Sequence, residues 1–149
     1  MWVVDVGATC HMVNDRSLLR DVQELTKPIE VQLGDGKVVN AIYCGTVLLY
    51  TALPGGKEKL CHLNDVLFVP KLSYNLLSVS KMTGVGLNVS FDESEFKIVR
   101  ADGVIIAVGK KLGSFFHLMC RQDMELSYAA TASSSNSNET LWHQRYGYL

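Results

Sequence analysis

Apolar and polar residues alternate in short runs along most of the chain, the period-2 pattern of strands with one buried face. Ile29-Glu30-Val31-Gln32-Leu33 alternates, turns at Gly34-Asp35-Gly36-Lys37 and returns as Val38-Val39-Asn40-Ala41-Ile42-Tyr43, which predicts a hairpin. Residues 46–50 and 59–63 flank a second turn at Pro54-Gly55-Gly56, and Val66-Leu67-Phe68-Val69 is stopped by Pro70. Strands are expected again at 87–91, 95–99 and 104–108, with Asp92-Glu93-Ser94 and Ala101-Asp102-Gly103 as turns and 115–119 as a last strand. Only two segments read as helix: residues 17–21, enough for one turn, and residues 75–82, opened by Asn75 as a cap and closed before Gly84. The prediction is an all-β domain, a closed or nearly closed barrel with one short helix. Val4, Val31, Leu67, Val69, Leu76, Leu77, Val89 and Ile98 are its expected buried positions.

The pattern breaks after residue 121. Residues 129–138 are small, polar and low in complexity, with too little apolar surface to offset the entropy of ordering them. This divides the chain into a β domain at 1–121, a linker at 122–139, and an aromatic and basic stretch at 140–149 that reads as the opening of another module. With 149 residues, 48% of them apolar, the sequence fits one soluble domain with a real core, and no apolar run approaches the roughly 20 residues of a spanning helix. No membrane association is expected. A net charge of -1, with Lys and Arg scattered apart from Lys110-Lys111, gives no reason to expect a nucleic-acid partner.

Cys10, Cys44, Cys61 and Cys120 form no C-x-x-C pair, and no secretory signal follows Met1. The strand neighbours of Cys44 and Cys61 predict buried free thiols, and the chain reads as intracellular. His11, His62, His117 and His143 are dispersed, each read as a surface or hydrogen-bonded core residue, so no metal or other cofactor is expected.

The candidate chemistry lies near the start of the chain. Asp5-Val6-Gly7-Ala8 follows the apolar run Trp2-Val3-Val4. A carboxylate where a buried strand turns, with a glycine that lets the backbone fold close, is the local geometry of an aspartic-protease half-site. Asp-x-Gly is also a common turn, since both residues favour turns for conformational reasons.

Further motifs narrow the choice. In chain order, Trp2-Val3-Val4-Asp5-Val6-Gly7-Ala8-Thr9-Cys10-His11-Met12, Asp65-Val66-Leu67-Phe68-Val69-Pro70, Asn75-Leu76-Leu77-Ser78-Val79 and Leu141-Trp142-His143-Gln144-Arg145-Tyr146-Gly147 resemble the Pol polyprotein of copia-type LTR retrotransposons. The first three motifs are similar to that family's retropepsin-like protease domain, and the last to the pre-integrase segment after it.

This resemblance implies a homodimeric β-barrel aspartic endopeptidase that cleaves peptide bonds of its own polyprotein. Asp5 would be the one catalytic carboxylate per subunit, Val6, Gly7 and Ala8 its turn, and the hairpin bearing Gly34, Asp35 and Gly36 the flap over bound peptide. A plain hairpin turn is the alternative for those glycines.

The chain departs from the family pattern at two places. Val6 stands where the family has Ser or Thr, whose hydroxyl bonds across the dimer; this favours the alternative of a catalytically impaired β-barrel serving as a structural or binding module. Tyr148 stands where the pre-integrase segment has its second His, and no Cys pair follows, so no zinc site is assigned and His143 is read as a bystander.

Overall fold

The computed structural model describes residues 1–122 and 147–149 of the chain. Nearly all of the predicted linker, together with Trp142 and His143, lies outside the described residues. Among the described residues the fold is mostly β, with twelve strands in one sheet and a single short α-helix.

The strands are β1 (Trp2–Asp5), β2 (Met12–Val13), β3 (Arg20–Gln32), β4 (Val38–Leu53), β5 (Lys57–Phe68), β6 (Asn75–Ser78), β7 (Asn88–Phe91), β8 (Glu95–Val99), β9 (Ile105–Leu112), β10 (Phe115–Leu118), β11 (Cys120–Arg121) and β12 (Gly147–Tyr148). Helix α1 (Val79–Gly84) follows β6, and a 3-10 turn spans Arg16–Leu18. The hydrogen-bonded order is β11-β4-β5-β2-β6-β1-β10-β9-β8-β7, with β3 added on β4 and β12 on β5.

This order has two ends, β11 and β7, so the strand pairing does not by itself close the sheet into the closed or nearly closed barrel that the sequence predicts. At Met119, between β10 and β11, the chain passes from one neighbourhood to another: its N–H donates to the Val108 carbonyl at 3.0 Å and its carbonyl accepts from Ala52 N–H at 2.8 Å.

Several expected strands prove to be parts of longer ones. Asn64-Asp65 separates residues 59–63 from 66–69 in the sequence pattern, but β5 runs through them, with Asp65 in the left-handed region at φ 54°. An irregular register between Gly45 and Val47 likewise bends β4 without ending it. A side chain at Gly45 would meet the Arg20 carbonyl oxygen at 2.7 Å, so glycine permits the close passage of β3.

The first half of β3 has no alternating pattern to read. β3 as a whole is an edge strand paired with β4, mostly exposed and interrupted by register shifts, and its second half carries Lys27-Pro28.

The helix expected over 75–82 is corrected. Its first half is β6, parallel to β1 with Trp2 opposite Asn75 and Asp5 opposite Ser78, and β2 pairs on its other edge. A strand inside a sheet can be buried on both faces, and a short apolar run then has no period to separate strand from helix. Helix α1 starts only at Val79, where the Ser78 hydroxyl accepts from Lys81 N–H at 3.2 Å.

Two cores result. The larger includes Trp2, Val4, Leu49, Leu63, Leu77, Phe96, Ile98 and Ile106. The smaller, of Met12, Val31, Ala41, Leu67 and Val69, lies under the β3–β4 hairpin. Leu76 and Val89, expected inside, are half-buried against these clusters. Cys61 is buried and Cys10, Cys44 and Cys120 partly so, all four as free thiols.

Packing is tightest at Gly109, where a Cβ would run into the Phe96 ring and the His117 carbonyl. Gly109→Ala is therefore expected to lower stability by about 2–3 kcal/mol, measured by urea unfolding.

Candidate functional site

Asp5 closes β1 at the point where the chain turns. Its Oδ1 accepts from Gly7 N–H at 2.8 Å, an Asx-type turn that fixes the carboxylate against the backbone two residues on. A Cβ at Gly7 would stand 3.4 Å from that oxygen, an ordinary contact, so space alone does not require glycine there. Val6 projects outward, 70% exposed, while Ala8 is buried.

A polar relay holds the turn from beneath. The Ser78 hydroxyl donates to the Ala8 carbonyl at 2.6 Å, and Ser78 N–H donates to His11 Nδ1 at 2.9 Å. Because Nδ1 accepts, the proton of neutral His11 sits on Nε2, which donates to the Leu149 carbonyl at 3.2 Å. Asn75 and Asn14 brace the adjoining chain: Asn14 N–H donates to Asn75 Oδ1 and Asn14 Nδ2 to the Leu72 carbonyl, each at 3.0 Å.

A groove of about 440 Å³ separates the Asp5 turn from the β3–β4 hairpin. Asp5, Gly7, Ala8 and Thr9 line one side; Glu30, Val31, Gln32, Leu33 and Gly34 line the other. Met12, Leu72 and Leu76 add apolar surface between them. Asp5 and Glu30 are the ionisable side chains of this lining, so among the described residues no cation in it neutralises the Asp5 carboxylate.

Of the three residues expected at the hairpin tip, Gly34 reaches the groove, whereas Asp35 and Gly36 form the turn beyond it. There Asp35 Oδ1 accepts from Lys37 N–H at 3.0 Å, and Gly36 takes φ +84°, which a side chain would strain.

Sequence reasoning assigns no functional weight to Ser78 or His11. It places Ser78 inside a helix and treats His11 as an ordinary histidine, because their link to Ala8 depends on the parallel pairing of β1 with β6. Among the described residues, no group of three or more His, Cys, Asp or Glu side chains could hold a metal ion. No helix among them is long and apolar enough to cross a membrane.

Burial pushes the His11 imidazole down from its ordinary value of 6.5 to about 4, with the charge of Lys81 acting in the same direction. A protonated His11 would also turn an N–H toward the Ser78 N–H. Above pH 6.5 the ring is neutral folded and unfolded; between 6.5 and 4 only the unfolded chain takes the proton, so stability falls as pH falls through that window. The expected loss is about 3 kcal/mol by about pH 4. Asp15, Asp92 and Asp102 are held below their ordinary value by hydrogen bonds from Ser17, Ser94 and Arg100 respectively, so their contribution is lost at lower pH. Urea unfolding of the parent and His11→Gln at about pH 7 and about pH 4.5 checks this: the parent should lose stability and the variant much less.

Comparison with known proteins reaches the same part of the chain. The model of the family described as Pol polyprotein, beta-barrel domain, matches residues 2–87, which contain the Asp5 turn, the β3–β4 hairpin, β6 and α1. Over 149 residues the chain is 28% identical to the retrovirus-related Pol polyprotein from transposon RE1 of Arabidopsis thaliana, covering 99% of this chain and 10% of that protein. It is 27% identical to the corresponding polyprotein from transposon RE2 of the same plant, with the same coverage. The chain thus spans 10% of the length of these curated relatives.

Proposed function

The chain belongs to the Pol polyprotein beta-barrel domain family, and from that premise we propose that it is the retropepsin-like aspartic endopeptidase domain of a copia-type retrotransposon polyprotein, active as a homodimer. The observation that carries this reading is the placing of Asp5 at the end of β1, in a groove whose opposite side is a long two-stranded hairpin. On this reading the hairpin is the flap, with Gly34, Asp35 and Gly36 at its tip, and the sheet is a barrel that closes at Met119. Substrates are extended segments of the polyprotein, and the site of action is the cytoplasm or a virus-like particle.

One carboxylate per chain cannot hydrolyse a peptide by the paired-acid route, so the two-fold axis brings Asp5 against its symmetry mate. Two carboxylates that close share a proton. The ionised member takes a proton from water as the water attacks the scissile carbonyl, and the protonated member donates to the developing oxyanion. The Gly7 N–H bond to Asp5 Oδ1 keeps the carboxylate oriented while the charge moves. No metal or other cofactor enters the scheme.

Val6 favours a second reading, a catalytically impaired barrel retained as a structural or binding module. An apolar side chain 70% exposed beside the carboxylate suits burial in a dimer, but it brings no hydroxyl to bond across the axis. Sedimentation at micromolar concentration together with cleavage of polyprotein-derived peptides separates the readings. A dimer that cleaves supports the peptidase; a protein that stays monomeric and inert at every concentration supports the module.

A further inference from the structure

We infer that the edge of β5 at Cys61 and His62 is a docking surface for the segment that follows the β domain, and that Gly147–Leu149, seated there in cis, braces the turn carrying Asp5. Docking stands on the geometry alone; its consequence for catalysis rests on the function proposed above.

β5 gives one edge to β4, from Lys57 to Leu67, and its other edge to β2 only at Leu67 and Phe68. The gap at Cys61 and His62 is filled by β12 in parallel register, Gly147 opposite Cys61 and Tyr148 opposite His62. Leu149 N–H then donates to the His62 carbonyl at 2.8 Å, and the Leu149 side chain is buried in the larger core at 5% exposure. Paired backbone and a buried side chain together are the marks of strand addition.

The same residue reaches the site. The Leu149 carbonyl accepts from His11 Nε2–H, which leaves His11 Nδ1 to accept from Ser78 N–H, and the Ser78 hydroxyl donates to the Ala8 carbonyl three residues from Asp5. Without Leu149, the His11 Nε2–H is left in an apolar interior with no partner, and the ring has reason to turn or admit water. His11 and Leu149 are thus positioning residues for the turn. A tether within one chain also holds the segment at high effective concentration, so a weak strand can stay seated.

Hydrogen exchange on the full chain tests this with Leu149→Asp and the apolar control Leu149→Met. Leu149→Asp should speed exchange of the Ser78 amide by about tenfold or more, and by clearly more than the β8 and β9 amides that share its core, with parent-like protection in Leu149→Met. Unchanged Ser78 exchange in Leu149→Asp overturns the brace, and an equal rise throughout the sheet overturns it too, making the strand an ordinary part of the core. Protection of the Leu149 amide that grows with protein concentration assigns the edge to a second copy and overturns docking in cis. If the parent cleaves peptide, Leu149→Asp should lower kcat about tenfold with KM little changed. Cleavage indifferent to Leu149 removes the catalytic consequence and leaves the peptidase reading intact. Absence of cleavage in every variant sinks the peptidase reading and leaves the exchange result to decide docking.

Discussion

Asp5→Asn should abolish peptide cleavage by a verified dimer, a loss of about 10³-fold or more, while the fold survives. Asn keeps an oxygen where Asp5 Oδ1 accepts from Gly7 N–H, so the turn retains its bond. What disappears is the shared proton. Both subunits carry the substitution, so no carboxylate remains to take a proton from water and none to donate one to the oxyanion. Surface polar changes away from buried networks shift stability by roughly 0.5 kcal/mol or less, so thermal unfolding of parent and variant should nearly coincide. Cleavage of a polyprotein-derived peptide is then compared at a concentration where sedimentation shows dimers. Equal rates in the two proteins would falsify the role of Asp5 and place any activity elsewhere.

How far the sequence can be read depends on the range of the interactions involved. The Asp5 turn is legible because an apolar run, a carboxylate and a glycine within six residues settle it locally. Hairpins at Gly34-Asp35-Gly36 and Pro54-Gly55-Gly56 are legible for the same reason: Gly36, Gly55 and Gly56 all take positive φ. β6 is hidden because burial between β1 and β2 removes the alternation that would separate it from helix. The first half of β3 is hidden because its half-buried apolar residues, Val22 and Leu25, stand three apart at register shifts, so no period of two shows in the sequence.

Least legible is the support of the site. His11 is linked to Ser78, 67 residues away, and to Leu149, 138 residues away. No spacing rule connects such positions; only the sheet order does. Chemistry that one residue carries can be read from its neighbours, whereas the groups that hold it in place emerge with the topology.

Val6→Thr should tighten dimerisation and raise cleavage together. In the single chain Val6 is 70% exposed, so exchanging a methyl for a hydroxyl there changes monomer stability by roughly 0.5 kcal/mol or less. Its effect belongs to the interface. In the proposed dimer position 6 of each subunit meets its mate beneath the paired Asp5 carboxylates, and Val has the shape of Thr without its hydrogen bond. Groups left buried and unpaired cost about 1–3 kcal/mol per copy, and a symmetric interface carries that cost twice. Restoring both bonds is worth about 2–6 kcal/mol, which lowers the dimer Kd by about 30-fold to 10⁴-fold. Sedimentation equilibrium of parent and variant reads the Kd, and peptide cleavage above that Kd reads the chemistry. A variant that dimerises tightly and cleaves, beside a weakly associating parent, identifies the lost hydroxyl as the defect. If a verified Val6→Thr dimer cleaves neither a linker-spanning peptide nor one copied from the relatives' sequences, the peptidase reading fails and the domain is the inert barrel.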